Sequence, residues 1–504
     1  MKRLFCATLD ANKACSVEVE STFVRALPSF AIVGLANQSI QESRERIKAA
    51  LNSLEFKFPA QKVTINLSPS DLKKEGSHFD LPIAILIALQ KERVDFEDFY
   101  CFGELGLDGS IKGTTSIFPI ILSLASCCKN LKVLVPFEML EIVSSIPNIK
   151  VYGVKTLFET ITFFMNHENK EEKRAVNIHP IFKDTIKIEG KDYIANRDFV
   201  LDFADIKGQN VAKEAMMICA AGMHNVLLEG SPGCGKSMSI KRLRYILPPL
   251  SSEEILENTA NLFISGESTD LNPLRPFRSP HHTSSRPSIF GGGSSSGKIG
   301  EVGLAHNGIL FFDEFPHFSK QVLESLREPL EDHQVLISRV NSKVCYKTEF
   351  LFACAQNPCP CGNLFSSIKT CRCSDIEISR YKAKISSAIL DRIDIYVQME
   401  ESSTKDKNDM NSSFMYEKVL GAFKKQKQRG QKNLNGKMND KEMKEFCILE
   451  KDADELLRNA SSRFGFSHRS VGKILRVARS VADLQNLDLI DKASIVKALS
   501  FRQR

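Results

Sequence analysis

At 504 residues the chain is too long for one hydrophobic core and implies roughly three domains of ordinary size. A net charge of +7, from 68 basic and 61 acidic side chains, permits a polyanionic partner without demanding one. No apolar leader precedes Asp10 and Lys13, and no stretch approaches the roughly 18 consecutive apolar residues of a membrane helix. The composition therefore points to a cytoplasmic protein with no membrane partner, in which 14 cysteines serve as reduced thiols or metal ligands rather than disulfides.

The first stretch mixes β-patterned runs, Val63–Leu67 and Val133–Val135, with helical ones, Gln41–Leu54 and Leu81–Gln90, and predicts an α/β domain over residues 1–165. Asn166–Arg174 is polar and charged without apolar periodicity, so 166–199 reads as a linker. From Phe203–Gln209 onward strands and helices alternate up to Met399, which places a second α/β domain over 200–399. Glu400–Ser413 is again polar and rich in Ser, Asp and Asn, a hinge at 400–413. Beyond it Met415–Gln426 and Gly472–Leu484 carry helical spacing, and 414–504 is expected to be an all-α lid. The charge bias sits here: from Glu401 to Arg504, 22 basic minus 14 acidic side chains leave +8.

Within the second domain, Gly230, Ser231, Pro232, Gly233, Cys234, Gly235, Lys236 and Ser237 form a complete G-x-x-x-x-G-K-[ST] phosphate loop between the apolar run Asn225–Leu228 and a helical stretch, Met238–Leu247. Glycines at these positions let successive backbone N–H groups curl around the α and β phosphates of ATP. Lys236 then reaches the β and γ oxygens, and Ser237 offers its hydroxyl to Mg²⁺ at the positive end of the helix. Ile309–Phe312 is a buried parallel strand that delivers Asp313 and Glu314 to the sheet's C-terminal edge, Asp313 to hold Mg²⁺ and Glu314 to polarise the attacking water. A third strand, Phe350–Ala355, brings Asn357 to the same edge, where an amide orders that water or merely closes a turn. Arg392 in Leu390–Asp394 and Arg469 in Ser467–Arg469 are cations for the charge that spreads over the transferred phosphoryl group.

In this order the motifs resemble Walker A, Walker B, sensor 1, arginine finger and sensor 2 of an AAA+ ATPase. RPFRSPHHTSS (Arg275–Ser285), GEVGLAHNGILFFDEF (Gly300–Phe315) and NPCPCG (Asn357–Gly362), with Gly34–Ala36, Glu42–Arg46 and Asn66–Pro69, are similar to the magnesium-chelatase-like ComM/YifB family over nearly the whole chain. The resemblance implies an AAA+ P-loop α/β core, a C-terminal helical lid and a homohexameric ring with ATP between subunits. It gives Arg392 a role in trans and Arg469 a role in cis or trans as the lid is arranged. It also implies loops that project toward a pore: an insert at Ser265–Lys298, ending in the Gly291–Gly297 tip, and a hairpin at Val335–Tyr346. Lys298, Arg339, Lys343 and Lys347 lie on these loops and suit the backbone of single-stranded or branched DNA, or are solvated edges; His281 and His282 are expected to make polar pore contacts. The implied activity is ATP-driven branch migration by a helicase in homologous recombination or natural transformation. The alternative is a protein-remodelling or chelatase-type ATPase.

The first domain resembles the Lon-protease-like (ribosomal-S5-domain-2-like) α+β fold of that family, yet on an ungapped count His78 stands where Lon carries its serine and Phe118 where it carries its lysine. A Ser–Lys dyad needs both members, so peptidase activity is not expected, although Ser77 and Lys112 lie close by. Finally, Cys359-x-Cys361 and Cys371-x-Cys373 can satisfy a tetrahedral Zn²⁺, at a tighter spacing than the usual C-x₂₋₄-C, or remain metal-free. The other ten cysteines read as small hydrophobes, with Cys234 a thiolate candidate because loop amides surround it.

Overall fold

The computed structural model describes the chain except for residues 1, 11, 97, 167–178, 196, 268–269, 293–298, 339–342, 402–409 and 503–504. It divides into two compact units, Met1–Lys183 with Thr259–Leu271 and Ser338–Cys345, and Asp184–Asn258 with Asn272–Ile337 and Tyr346–Arg504.

The first unit is built on a seven-stranded mixed sheet in the order Ser29–Val33, Lys62–Ser68, Lys13–Val24, Lys2–Asp10, Tyr100–Cys101, Leu131–Pro136, Ile149–Val154. Lys2–Asp10 and Lys13–Val24 form an antiparallel hairpin closed between Asp10 and Lys13. The second of these strands buries Val17, Val19 and Ser21, and its partner Lys62–Ser68 buries Val63, Ile65 and Leu67, the period of two that gives a sheet one packed face. Helix Asp80–Ala88 is apolar all round, because it is buried all round. Helix Gln38–Ser53 starts at Asn37, whose side chain accepts from the Ile40 amide, and turns Ile40, Ile47, Ala50 and Leu51 inward. Its Arg46 reaches the buried Asp80, Nε to Oδ2 at 2.7 Å, and the Leu105 amide adds a third donor to that carboxylate. Two N–H groups of one guanidinium thus compensate a charge that burial alone would push toward protonation.

The second unit is organised by a five-stranded, wholly parallel sheet in the order Phe277–Arg278, Ile309–Phe312, Leu351–Gln356, Val226–Gly230, Ile395–Met399. Every residue of the three strands Val226–Gly230, Ile309–Phe312 and Leu351–Gln356 is buried, which explains their uninterrupted apolar runs. Because all five strands run the same way, the residues that follow each of them emerge at one edge. The helices Ser412–Gln428, Asp440–Phe446, Lys451–Phe464, His468–Leu484 and Lys492–Ser500 follow. Their apolar faces join the same hydrophobic cluster as the sheet, Ile474, Val477 and Val481 with Ile240, Leu243 and Val397, so the expected lid shares a core with the expected ATPase domain. Asp202 stitches the two, accepting the amides of Ala204 and Ser412. Arg479, fully buried, donates to Asp483 and to the carbonyls of Leu487 and Asp488.

Of the segment read as a linker, Thr185–Ile188 and Lys191–Ile194 form a hairpin instead, and its second strand pairs with Leu250–Ser251. Residues 167–178 and 402–409 of the two expected linkers lie outside the described residues. All fourteen cysteines are thiols, and Cys127 and Cys345 are exposed rather than small core hydrophobes. No helix among the described residues is long and apolar enough to cross a membrane.

Each unit buries a neutral histidine. His78 lies between the Ala7 carbonyl (2.9 Å) and the Ser116 hydroxyl (3.2 Å), and His224 meets the Ser480 hydroxyl at 2.7 Å. Burial lowers both to about 4, from an ordinary 6.5. A depressed folded-state value leaves stability intact above the unfolded value and removes it as pH falls toward the folded one, by up to about 3 kcal/mol per ring. Urea unfolding is therefore expected to show midpoints that drop steeply between pH 6.5 and 4; a flat profile across that window would contradict neutral burial.

Candidate nucleotide site

The edge shared by the five parallel strands gathers the phosphate loop, Asp313–Glu314 and Asn357. Gly233 and Gly235 have φ of +84° and +94°, conformations that side chains resist. A Cβ on Gly233 would meet nothing within 4 Å, so this part of the loop faces open space. Lys236 curls back under the loop and donates to the carbonyls of Gly230 (2.6 Å) and Ser231 (2.9 Å) and to Asn357 Oδ1 (3.2 Å). Burial of its ammonium lowers its pKa. Ser237 Oγ donates to Asp313 Oδ2 at 2.7 Å, so the hydroxyl and the carboxylate expected on one metal ion are already in contact. An open glycine loop, a buried ammonium held by neutral acceptors and a hydroxyl–carboxylate pair together fit a magnesium-bound triphosphate.

Glu314 adopts a left-handed backbone, φ +52°, where the strand breaks into the turn Phe315–His317. Its side chain is 60% exposed and stands 3.4 Å from His282 Nδ1. His282, expected at pore contacts, thus meets Glu314 at the nucleotide edge in this chain: the short strand Phe277–Arg278 runs parallel beside Ile309–Phe312 and sends the loop that follows it to the same edge. Behind the phosphate loop, buried Glu229 accepts from Gln356 Nε2 at 2.9 Å and from the Tyr396 hydroxyl, with Lys382 3.7 Å away. These bonds tie strands Leu351–Gln356, Val226–Gly230 and Ile395–Met399 together at the level of the site.

At the opposite edge Asn225, a residue without a motif, fastens several elements. Its amide N–H donates to Asp394 Oδ2 (2.9 Å), its Nδ2 to the Arg392 carbonyl (2.9 Å), and its Oδ1 accepts from Phe352 N (3.0 Å) and Lys437 Nζ (3.4 Å). Arg392 is thereby fixed through its backbone. Its guanidinium and that of Arg469 are bonded to one carboxylate, that of Glu331, at the end of helix Arg327–Glu331. The structure thus brings the two arginines together. No sequence signal marks Glu331, one of three acids, with Glu328 and Asp332, in and just after a short helix.

Cys359, Cys361, Cys371 and Cys373 form one cluster. Their sulfurs all lie within 4.8 Å of one another, Cys359 at 3.4 Å from Cys361 and 3.7 Å from Cys371. Four thiolates around a tetrahedral ion, with metal–sulfur bonds of about 2.3 Å, stand about 3.8 Å apart, so this donor set fits a single metal ion. Hydrogen bonds from the backbone amides of Arg372 and Asn363 lower Cys361 to about 6. The cluster abuts the nucleotide edge: a Cβ on Gly362, φ +80°, would strike Pro232 of the phosphate loop at 2.7 Å. Cys234 departs from expectation, because burial raises its thiol above the usual range and outweighs the Lys236 charge.

Lys343 is exposed on the outer face of strand Lys343–Lys347, as is Lys347. Lys347, expected on a nucleic-acid backbone, is instead paired with Glu257 at 3.0 Å. Lys298, Arg339 and the Gly293–Gly297 part of the tip lie outside the described residues. In the first unit His78 is buried and bonded as described above, Phe118 is buried, Ser77 bonds the Glu104 carboxylate and Lys112 is exposed on the strand paired with Glu104. Serine on a carboxylate and a solvated lysine do not make a nucleophile with a desolvated base.

Three models of the magnesium chelatase subunit ChlI match this chain: the Subunit ChlI of Mg-chelatase model over residues 19–139, the Magnesium chelatase, subunit ChlI model over 202–407 and its C-terminal model over 409–502. The competence protein ComM of Haemophilus influenzae is 34% identical over 496 residues, 96% of this chain and 94% of that protein. The YifB proteins of Salmonella typhimurium and Escherichia coli are 33% and 32% identical, each over 98% of this chain and 96% of its relative. With the phosphate loop, the acidic strand end and the polar amide converging on one parallel edge, the chain belongs to the ComM/YifB family of magnesium-chelatase-like AAA+ proteins.

Proposed function

We propose that the chain is an ATP-driven motor that works as a homohexameric ring on single-stranded or branched DNA and promotes branch migration in recombination or natural transformation. The observation that carries it is the joint placement of Lys236, Ser237, Asp313, Glu314 and Asn357 at one sheet edge, in a chain similar from end to end to a competence protein. Bound magnesium and triphosphate supply the electrophilic phosphorus. Lys236 and the loop amides bind the phosphates, Ser237 and Asp313 hold the metal, Glu314 takes a proton from the attacking water and Asn357 orients it. Arg392 serves a neighbouring subunit's site, with Arg469 beside it. The first unit, a Lon-protease-like domain in this scheme, carries no peptidase chemistry.

Lys298, Arg339, Lys343 and Lys347 are the DNA-binding cations in this proposal, with Lys347 leaving Glu257 to engage phosphate. Substituting Lys298, Lys343 and Lys347 by Gln should weaken binding to all DNA sequences alike and reduce the log–log salt slope by roughly 0.7 to 0.9 for each phosphate no longer neutralised, with ATPase in the absence of DNA retained. Equal binding and salt slope in wild type and triple variant would remove these loops from the DNA path. A wild-type ATPase indifferent to any DNA would turn the assignment toward chelatase or protein-remodelling work.

We further propose that the four-cysteine cluster holds Zn²⁺ as a structural ion. Elemental analysis should find about one zinc per chain, absent after Cys359→Ser with Cys361→Ser, and the variant should bind ATP more weakly because Gly362 rests against Pro232. Metal-free protein with full ATP affinity would refute the site.

A further inference from the structure

Arg392 and Arg469 come from different elements. Arg392 lies between helix Ser387–Leu390 and strand Ile395–Met399, and Arg469 in the first turn of helix His468–Leu484. Both end on one acid, Arg392 Nη2 on Glu331 Oε2 and Arg469 Nη2 on Glu331 Oε1. An anion with one oxygen on each of two converging guanidiniums is arranged as a phosphate oxyanion would be. The Arg392 side chain is 11% exposed, its Nη1 donates to the Ala388 carbonyl and its Nε is buried without a hydrogen-bond partner. Its backbone is fixed by Asn225, so its guanidinium has little freedom to follow another ligand. Arg469 and Glu331, at 49% and 44% exposure, are open to solvent, and hydrogen bonds from Arg469 and then Arg392 hold the Glu331 carboxyl below its ordinary range, hence ionised. In the isolated chain, one carboxylate is therefore bonded to both cations assigned to hydrolysis and offsets one of their two charges.

We propose that Glu331 is a latch: its carboxylate holds Arg392 and Arg469 together in the free subunit and must yield to a phosphate oxyanion of the triphosphate bound to a second copy of this chain before the pair can act. The latch rests on the role given above to Arg392. It costs little structure, because Glu331 and Arg469 are solvated and exposed pairs of this kind are weak, so assembly can displace it. Yet it opposes premature use of the arginines, since every engagement has to break two ion pairs. Its consequence is a threshold in protein concentration for ATP turnover, set by Glu331 and not by the phosphate loop.

The test is ATP turnover as a function of protein concentration for wild type, Glu331→Gln and Arg392→Ala, with assembly followed in parallel by mass photometry. Glu331→Gln keeps the shape and removes the charge. It should reach half-maximal specific activity and half-maximal assembly with ATP at a roughly three- to tenfold lower concentration, with a plateau kcat within about twofold of wild type. Arg392→Ala should lose most turnover at every concentration. If Arg392→Ala is inactive but the Glu331→Gln curve superimposes on wild type, the latch is wrong and the arginine assignment stands. If Arg392→Ala turns over like wild type, the arginine assignment itself fails. A Glu331→Gln plateau lowered about tenfold or more, without a shift along the concentration axis, would place Glu331 in the catalytic machinery and also overturn the latch.

Discussion

The ammonium of Lys236 is drawn under its own loop, where two carbonyls and the Asn357 amide oxygen hold it and no carboxylate is bonded to it. A cation in that position is desolvated, and neutral acceptors compensate it only in part; a phosphate oxyanion compensates it far better. Much of the second unit follows from that constraint. The lysine can be placed there only if the strand before it ends at a fixed level, and the level is set by Glu229, Gln356 and Tyr396 bonding from that strand to its two neighbours. The same registration puts Asp313 against Ser237 and Asn357 against Lys236. One buried charge therefore shares its supports with the Ser237–Asp313 pair and the Asn357 amide.

The opposite edge of the sheet holds the segment that carries Arg392, the cation proposed for a neighbouring site. Asn225 closes the far end of the phosphate-loop strand and grips the Arg392 carbonyl, while Lys473 Nζ donates to the Ile393 carbonyl and Lys437 to Asn225 itself. Lys437 and Lys473 belong to the helical region and Asn225 directly precedes strand Val226–Gly230, so both regions are bonded to the arginine segment or to the residue that holds it. The cysteine cluster plays a comparable part at the nucleotide edge, where Gly362 lies too close to Pro232 for any side chain. These couplings run through short distances between packed groups, the kind of contiguous network by which one site biases another.

How much was legible in the sequence follows the range of the interactions. The phosphate loop and the strands Ile309–Phe312 and Val226–Gly230 were readable because their pattern is local: apolar runs buried on both faces, then glycines or acids at the exit. The cysteine pairs were readable by spacing, and the folded chain adds that the pairs meet. The roles of His282, Asn225 and Glu331 were not readable, since each acts through a partner far away in sequence, Glu314, Arg392 or Arg469, which neither the RPFRSPHHTSS string around His282 nor the surroundings of the other two reveal. Cys234 was misjudged because amide proximity is visible in sequence and burial is not. The segment 166–199 read as a linker on its polar start, whereas Ile186, Ile188, Tyr193 and Ile194 supply enough apolar surface for a hairpin.

The division of labour at the nucleotide edge is open to direct measurement by calorimetric titration of magnesium ATP alongside steady-state turnover, in wild type, Lys236→Ala and Glu314→Gln. A buried cation that awaits phosphate predicts that Lys236→Ala loses about tenfold or more in affinity. A base that acts only on water predicts that Glu314→Gln keeps affinity and loses about 10² to 10⁴ in turnover. Unchanged ATP affinity in Lys236→Ala, or wild-type turnover in Glu314→Gln, would contradict these roles.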